Sequence, residues 1–361
     1  MAISTISATG LAGSVSQIGK NIIINGSHEV AQRGAAITGM GAASAYTPVD
    51  MWHIIASGTA GRVTGSQVAG PLAATGHGNA VKIDVTTVDS SVASGDIMSL
   101  RTSVEAQNLQ QLQWGVATAK SVTLSFWMKS PKAGTHCVSI YQEDDGRYFI
   151  REFTIASADT YEYFAITFPG DTGGVIDTNN GAGIRIDWPL ICGSGEAGSA
   201  DAWTSGGKFA TGNQQNLLDS TDNNVELAGV QLELGTVATD FEHEPISVTL
   251  AKCQRYYQQW NITTAFGYIA TGLNAGSTST RATLPTRQTM RAAPTLSVSA
   301  VGDFQTQDAT GAADTTNVTL YSAYPEVVTI EATVATQPIS NAAMFGADNS
   351  TVRFLALSAE M

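Results

Sequence analysis

Side chains able to do chemistry are present in this chain, but they stand apart from one another. The five histidines, His28, His53, His77, His136 and His243, are dispersed, with no paired spacing that sets two of them on one zinc ion. His243 lies between Glu242 and Glu244, a trio that more often caps or pairs locally than holds a cation. Glu143 and Asp144 are adjacent carboxylates, the residue type that glycoside hydrolysis uses, but that chemistry is decided by their separation in space. Gly193, Gly195 and Gly198 have the spacing of a dinucleotide fingerprint, yet the residues that follow, SADAWTSGGK, show no amphipathic helix whose N-terminus would receive a pyrophosphate. Gly207 and Lys208 lack the upstream glycine of a phosphate loop, and no Gly-x-Ser-x-Gly elbow occurs. No motif supports catalysis, and a non-enzymatic protein is expected.

The aromatic residues are more informative. Trp127 falls on the polar side of its strand, opposite Phe126, and Trp203 sits in a Gly/Ser-rich loop with few apolar neighbours. Rings held on a rigid β surface or in its loops make flat, amphipathic platforms for ligands, the CH faces of sugars among them. The predicted glycan contacts are therefore Trp203 and Trp127, with Asp201 and Gln214 as polar partners near the loop. The competing reading of Trp127 is packing beneath a loop or a neighbouring subunit.

The elements that must hold these residues are strands. Val122, Leu124, Phe126 and Met128 alternate with Thr123, Ser125, Trp127 and Lys129, which sets one face in a core and the other in water. Two β-rich runs flank Asp144, Asp145 and Gly146, a hairpin turn signature. Phe164, Ile166 and Phe168, and then Ile184, Ile186 and Trp188, repeat the alternation between Gly-, Asn- and Asp-rich turns. Residues 193–216 read as a long surface loop, and VELAGVQLELG as a strand broken by a bulge at Gly229. Ile246, Leu250, Cys253 and Tyr257 have helical spacing, which predicts one helix over 246–260. Short Thr-rich strands follow, including VVTIEATVA, where Val327, Thr329, Glu331 and Thr333 form the solvated face.

Composition agrees. The 361 residues carry 18 Lys and Arg against 31 Asp and Glu, a formal net charge of -13 that argues against a nucleic-acid binder. Only 14% of residues are charged, and 36 are glycine, so Ser, Thr, Asn and Gln carry the polarity, as in a turn-rich β protein. Cys137, Cys192 and Cys253 are far apart and odd in number, which makes a disulfide framework improbable. No signal peptide is apparent and no apolar run reaches the length that spans a bilayer, so neither secretion nor membrane insertion is expected.

Three stretches together carry a resemblance: NIIINGSHEVAQRG followed by TPVDMWHI, the strand SVTLSFWMKS, and above all GVQLELGTVATDFEHEPISVTLAKCQRYYQ. They resemble a jelly-roll module of tail fibres and other virion appendages of tailed bacteriophages, and QTMRAAPTLSVS with FLALSAEM is similar to the small β domain that often follows it. The module is itself similar to carbohydrate-binding jelly rolls, whose first strand ends in an Asn-Gly pair like Asn25 and Gly26. Those domains often carry a structural calcium; here Ala228 and Gly229 stand where an acidic pair would be expected, which leaves Glu29 as the candidate ligand. No other cofactor is implied. The expected organisation is an N-terminal docking arm over 1–20, a jelly roll over 21–245, a linker helix over 246–260 and a second small β-sandwich over 261–361. The resemblance implies a homotrimer in the virion, made in the host cytoplasm, joined to other virion proteins through the arm and presenting its β domains to host-surface polysaccharide. A capsid fibre or decoration protein with a mechanical role is the alternative, and a glycan-degrading tailspike a third reading that lacks the expected long repeat.

Overall fold

In the computed structural model residues 19–349 and 353–361 are described, so the docking arm expected over 1–20 lies, apart from its last two residues, outside them. The chain forms two compact units. Of the described residues, the first holds those up to Glu29 with Ala35–Thr47 and Trp52–Ile246, and the second Val30–Gly34, Pro48–Met51 and those from Ser247 onward.

The first unit is the antiparallel sandwich that the alternation predicts. Its strands are β1 (Ala36–Met40), β2 (Ala45–Tyr46), β3 (Trp52–Ser57), β4 (Arg62–Ala69), β5 (Asn79–Thr87), β6 (Ile97–Glu105), β7 (Val122–Lys129), β8 (Gly134–Gln142), β9 (Arg147–Ile155), β10 (Glu162–Phe168), β11 (Ala182–Cys192), β12 (Thr204–Ser205) and β13 (Asn224–Leu234), with a one-turn helix α1 (Leu72–Thr75). One sheet has the order β1-β4-β5-β13-β7-β10, the other β12-β9-β8-β11-β6-β3-β2. Neighbours in sequence are repeatedly separated in the sheets, which is the crossing connectivity of a jelly roll. The two sheets meet through aromatic side chains. Phe126 of β7 packs edge-on against Trp188 of β11 at 5.6 Å, and Trp188 lies 5.5 Å from Trp52 of β3. Trp52 and Trp188 are buried completely or nearly so, as are Ile54, Leu100, Leu124, Ile140 and Ile186 around them. The hairpin expected at Gly146 joins β8 to β9, with Gly146 at φ 63°.

The Asn-Gly pair before β1 is held tightly. Asn25 has φ 56°, its carbonyl accepts from the Trp52 indole at 3.3 Å, and a Cβ on Gly26 would lie 2.0 Å from the Val230 carbonyl oxygen. Only glycine fits that approach of two backbones.

In the second unit, α2 spans Ile246–Gln254, shorter than the helix expected over 246–260. Tyr257 belongs instead to strand β14 (Tyr257–Ile262), because the aromatic run that follows Gln254 pairs with the C-terminal strand: Tyr257 lies opposite Ser358, Trp260 opposite Leu355 and Ile262 opposite Arg353. Strand pairing outweighs the helical spacing of four residues. The remaining strands are β15 (Tyr268–Gly276), β16 (Ser279–Pro285), β17 (Thr295–Val298), β18 (Phe304–Asp308), β19 (Gly311–Ala323), β20 (Val327–Val334), β21 (Ala342–Ala347) and β22 (Arg353–Ser358). Six of them close into a barrel in the order β15-β16-β20-β19-β18-β21, and β14-β22-β17 forms a separate sheet, so the small β domain is built as a barrel with an added sheet. Val328, Ile330, Ala332 and Val334 fill its core, with Phe304 stacked on Phe345 at 5.4 Å.

Two short stretches from early in the chain complete this unit through a buried charge cluster. Arg33 makes ion pairs with Asp50, at 3.3 Å, and with Glu360, and its guanidinium lies 3.6 Å from the centre of the Tyr257 ring. Gln32 donates to Asp50 and, at 2.8 Å, to the Tyr257 carbonyl, while Arg291 donates to the Ala359 and Glu360 carbonyls. Burial pushes the Asp50 carboxyl up to about 6 and the Glu360 carboxyl up to about 7, against the pull of Arg33 in the opposite direction. Two carboxylates share the Arg33 guanidinium.

Two outcomes follow. Both carboxyls bind protons more readily in the folded chain than in the unfolded one, so the stability they contribute is present below about pH 4 and is lost as pH rises through about 6 to 7. From about pH 5 to about pH 8 the thermal midpoint of the parent chain is expected to fall relative to that of Glu360→Gln, which keeps a polar partner for Arg33; the variant is the reference because His28 and His77, held neutral by burial, raise stability over the lower part of the same range. Gly26→Ala is expected to destabilise the first unit by about 2 kcal/mol or more, read by chemical denaturation, because backbone must move to admit the methyl group.

Candidate functional site

The outward face of the β7 sheet carries a cavity. Along β7 the side chains of Val122, Leu124, Phe126 and Met128 point inward, so Thr123, Ser125 and Trp127 point out. Register then decides their neighbours: Trp127 lies opposite Tyr163 on β10 and opposite Ala228 on β13. The Trp127 and Tyr163 rings are 5.2 Å apart and tilted by 47°, and Tyr163 is 46% exposed.

The chain after β13 folds back over this face and walls the cavity. Gln231 and Glu233, polar residues on the outward side of β13, are buried because they fasten that returning segment. Glu233 accepts from the Thr239 amide at 2.9 Å and from its hydroxyl at 2.6 Å, and Gln231 accepts from the Glu242 amide at 2.8 Å. Glu242 in turn accepts from the amide of Asn21 at 2.7 Å. Buried carboxylates and amides satisfied in this way tie the returning segment to the sheet. This open cavity has a volume of about 310 Å³, at the small end of ligand pockets, with Trp127, Tyr163 and Phe241 as aromatic walls and Ser125, His77 and Asp240 as polar ones.

His77 owes its place to the bulge in β13. Gly229 has φ 57°, the pairing with β7 slips between Ala228 and Gln231, and a Cβ on Gly229 would lie 2.2 Å from His77 Nε2. The ring rests edge-on against Phe241 at 4.8 Å and stacks on His243 at 5.6 Å. Burial, together with the neighbouring His243, pulls its pKa down to about 4, so it is a neutral imidazole at neutral pH. Neither His77, 4% exposed, nor Ser125, likewise 4% exposed, makes a side-chain hydrogen bond to another described residue. Of the cations nearby, Lys129 pairs with Glu226 at 2.8 Å, while the Lys20 ammonium donates to neutral oxygens of the wall, the Thr239 hydroxyl at 2.7 Å and the Asp240 carbonyl.

Of the four residues predicted to touch a glycan, Trp127 alone lines this cavity. Trp203 is not the open ring its Gly/Ser context suggests. It packs edge-on against Trp114 at 5.0 Å and Phe149 at 5.4 Å, and its indole donates to the Pro169 carbonyl at 2.8 Å. Those partners come from three separate stretches of chain, which is why a local reading misses them. Asp201 pairs with Arg151, and Gln214 spends its side chain on the Cys137 amide and the Pro189 carbonyl. Glu29 is half-buried, and no group of three or more His, Cys, Asp or Glu side chains suited to a metal ion forms among the described residues. Glu143 is tied to Arg185, and Asp144 accepts from the Asp177 amide at 2.9 Å. Tyr163, Ser125, His77 and Asp240 were not singled out from the sequence. Tyr163 carried a signal, since it occupies the outward side of the Phe164, Ile166, Phe168 alternation just as Trp127 does on β7.

No protein-family model and no curated protein sequence matches the chain. Among solved structures, it is similar to the enzymatically active domain of tailspike protein 4 of bacteriophage CBA120, at 13% identity and a TM-score of 0.32, covering 60% of this chain and 22% of that one. It is also similar to a family 4 carbohydrate-binding module, at 13% identity and a TM-score of 0.32 over 59% of this chain and 99% of that one. A family 11 carbohydrate-binding module from a cellulosomal cellulase of Clostridium thermocellum matches at 16% identity with a TM-score of 0.29, over 52% and 89% of the two chains. At scores this low the likeness adds nothing to what the two stacked antiparallel sheets show of the fold.

Proposed function

We propose that this chain is a non-enzymatic saccharide-binding subunit whose binding site is the cavity beside Trp127. The observation that carries this reading is the pair of rings, Trp127 and Tyr163, set side by side by strand register on a rigid sheet face and left open above a polar floor. A sugar offers an apolar CH face to stack on such rings and a rim of hydroxyls for the polar walls. What supports the wider setting is the sequence resemblance to phage appendage modules. On that reading the chain works in the virion, made in the host cytoplasm, as one subunit of a homotrimer docked through its N-terminal arm, with host-surface polysaccharide as its partner. A single shallow site is weak, and several copies on one particle raise its effective strength without new contacts.

Affinity electrophoresis of the full chain in gels containing host-surface polysaccharide tests the proposal. The unsubstituted chain is expected to be retarded, and Trp127→Ala to run freely while its unfolding free energy changes by no more than about 1 kcal/mol. Trp203→Ala is expected to do the reverse, losing about 1–3 kcal/mol of stability through the contacts to Trp114 and Phe149 and keeping retardation. An unretarded parent chain favours the mechanical role of a capsid fibre or decoration protein.

A further inference from the structure

Resting on the saccharide reading of the same cavity, we infer that Gly19, Lys20 and Asn21 are positioning residues of the site, so that a ligand in the cavity and this N-terminal segment hold each other in place. Ala238, Thr239, Asp240 and Phe241 line the cavity from the returning segment, and the next residue is Glu242. Glu242 is 4% exposed, and among the described residues its carboxylate has two partners, the backbone amide of Gly19 and that of Asn21 at 2.7 Å. A buried carboxylate keeps its place only while such donors are there. Without them it must turn to water, and the wall next to it moves with it. Lys20, between the two amides in sequence, fastens the rest of the wall through the Thr239 hydroxyl and the Asp240 carbonyl.

The clamp is itself fixed to the sheet. β13 pairs with β5 over Asn224–Leu227, and past the Gly229 bulge the N-terminal segment bonds to it instead: Ile22 donates to the Leu232 carbonyl at 2.8 Å. The Asn21 side chain acts there as a peptide group would, accepting from the Leu232 amide at 3.1 Å and donating to the Val230 carbonyl at 3.1 Å. Asn21 thus holds β13 with its side chain and Glu242 with its backbone. Phe241 links the same wall to the cavity's His77, on which its ring packs edge-on at 4.8 Å. A saccharide lying between Trp127 and this wall makes part of its contacts only while the wall is in place, so it favours the state in which Gly19 and Asn21 are bonded. Linkage makes the effect mutual: whatever pins Gly19–Asn21 in that state raises affinity by the same factor, and whatever pulls the segment away lowers it.

Hydrogen exchange of the full chain, with and without host-surface polysaccharide, reads the coupling in one direction. Exchange over residues 19–23 and 239–242 is expected to slow about fivefold or more when saccharide binds, while the Gly146 hairpin of the other sheet stays unchanged. Affinity electrophoresis reads the other direction. Glu242→Gln is expected to raise the polysaccharide concentration needed for half-retardation about tenfold, and Lys20→Met to raise it in the same sense. Trp203→Ala, which costs stability away from this wall, is the control and is expected to leave that concentration unchanged. Folding is checked by thermal unfolding, and if Glu242→Gln does not fold, Lys20→Met and the exchange of the parent chain decide. Saccharide binding that leaves exchange over residues 19–23 unaltered, or folded Glu242→Gln and Lys20→Met chains retarded like the parent, overturns this inference and leaves the saccharide reading standing. A Trp127→Ala chain that is still retarded, or a parent chain that is not, overturns both.

Discussion

The contact of Phe126 with Trp188, and of Trp188 with Trp52, is the constraint on which the first unit depends. Phe126 and Trp188 reach across the interior and join one sheet to the other, and Trp52 backs Trp188 from within its own sheet. Because side chains alternate strictly along a strand, turning Phe126 inward leaves Trp127 no choice but to face out. The outward aromatic face is in that sense a by-product of the core. His28, packed at 4.7 Å on Trp52 with its pKa drawn down to about 3 by burial, extends the same interior as a neutral ring.

How much of this was legible follows the range of the interactions involved. Alternation over eight residues gave β7 and the outward placement of Trp127, and the Asp-Gly turn gave the β8–β9 hairpin, because both are decided by near neighbours in the chain. The bulge at Gly229 was visible as a break in a hydrophobic run. The environment of Trp203 was not, since Trp114, Phe149 and Pro169 approach it only after the sandwich closes. The same holds for the cavity. Tyr163 meets Trp127 through register, His77 arrives from a Gly-flanked turn, and the wall that carries Asp240 is placed by the buried side chains of Gln231 and Glu233. The end of α2 shows the opposite error, where local spacing promised a helix and pairing with β22 claimed Tyr257 for a strand.

Two glycines show how backbone shape becomes chemistry here. Gly26 lets the loop before β1 lie against Val230, and Gly229, one residue earlier on β13, turns its chain so that an imidazole can occupy the space a side chain would fill. A defect in hydrogen-bond pairing is thereby converted into a polar group at the cavity wall.

The charge cluster of the second unit has a consequence for the order of events during synthesis. Arg33 and Glu360 are 327 positions apart, and Asp50, their companion, is also an early residue. As the chain leaves the ribosome, Arg33 and Asp50 emerge long before the residue that completes their arrangement exists. The first sandwich can begin to form before the later residues exist, but the second unit must wait for Glu360 to emerge and then close over a very long loop, a step of high contact order and correspondingly slow. Until then Val30–Gly34 and Pro48–Met51 are held by neither β14 nor Glu360.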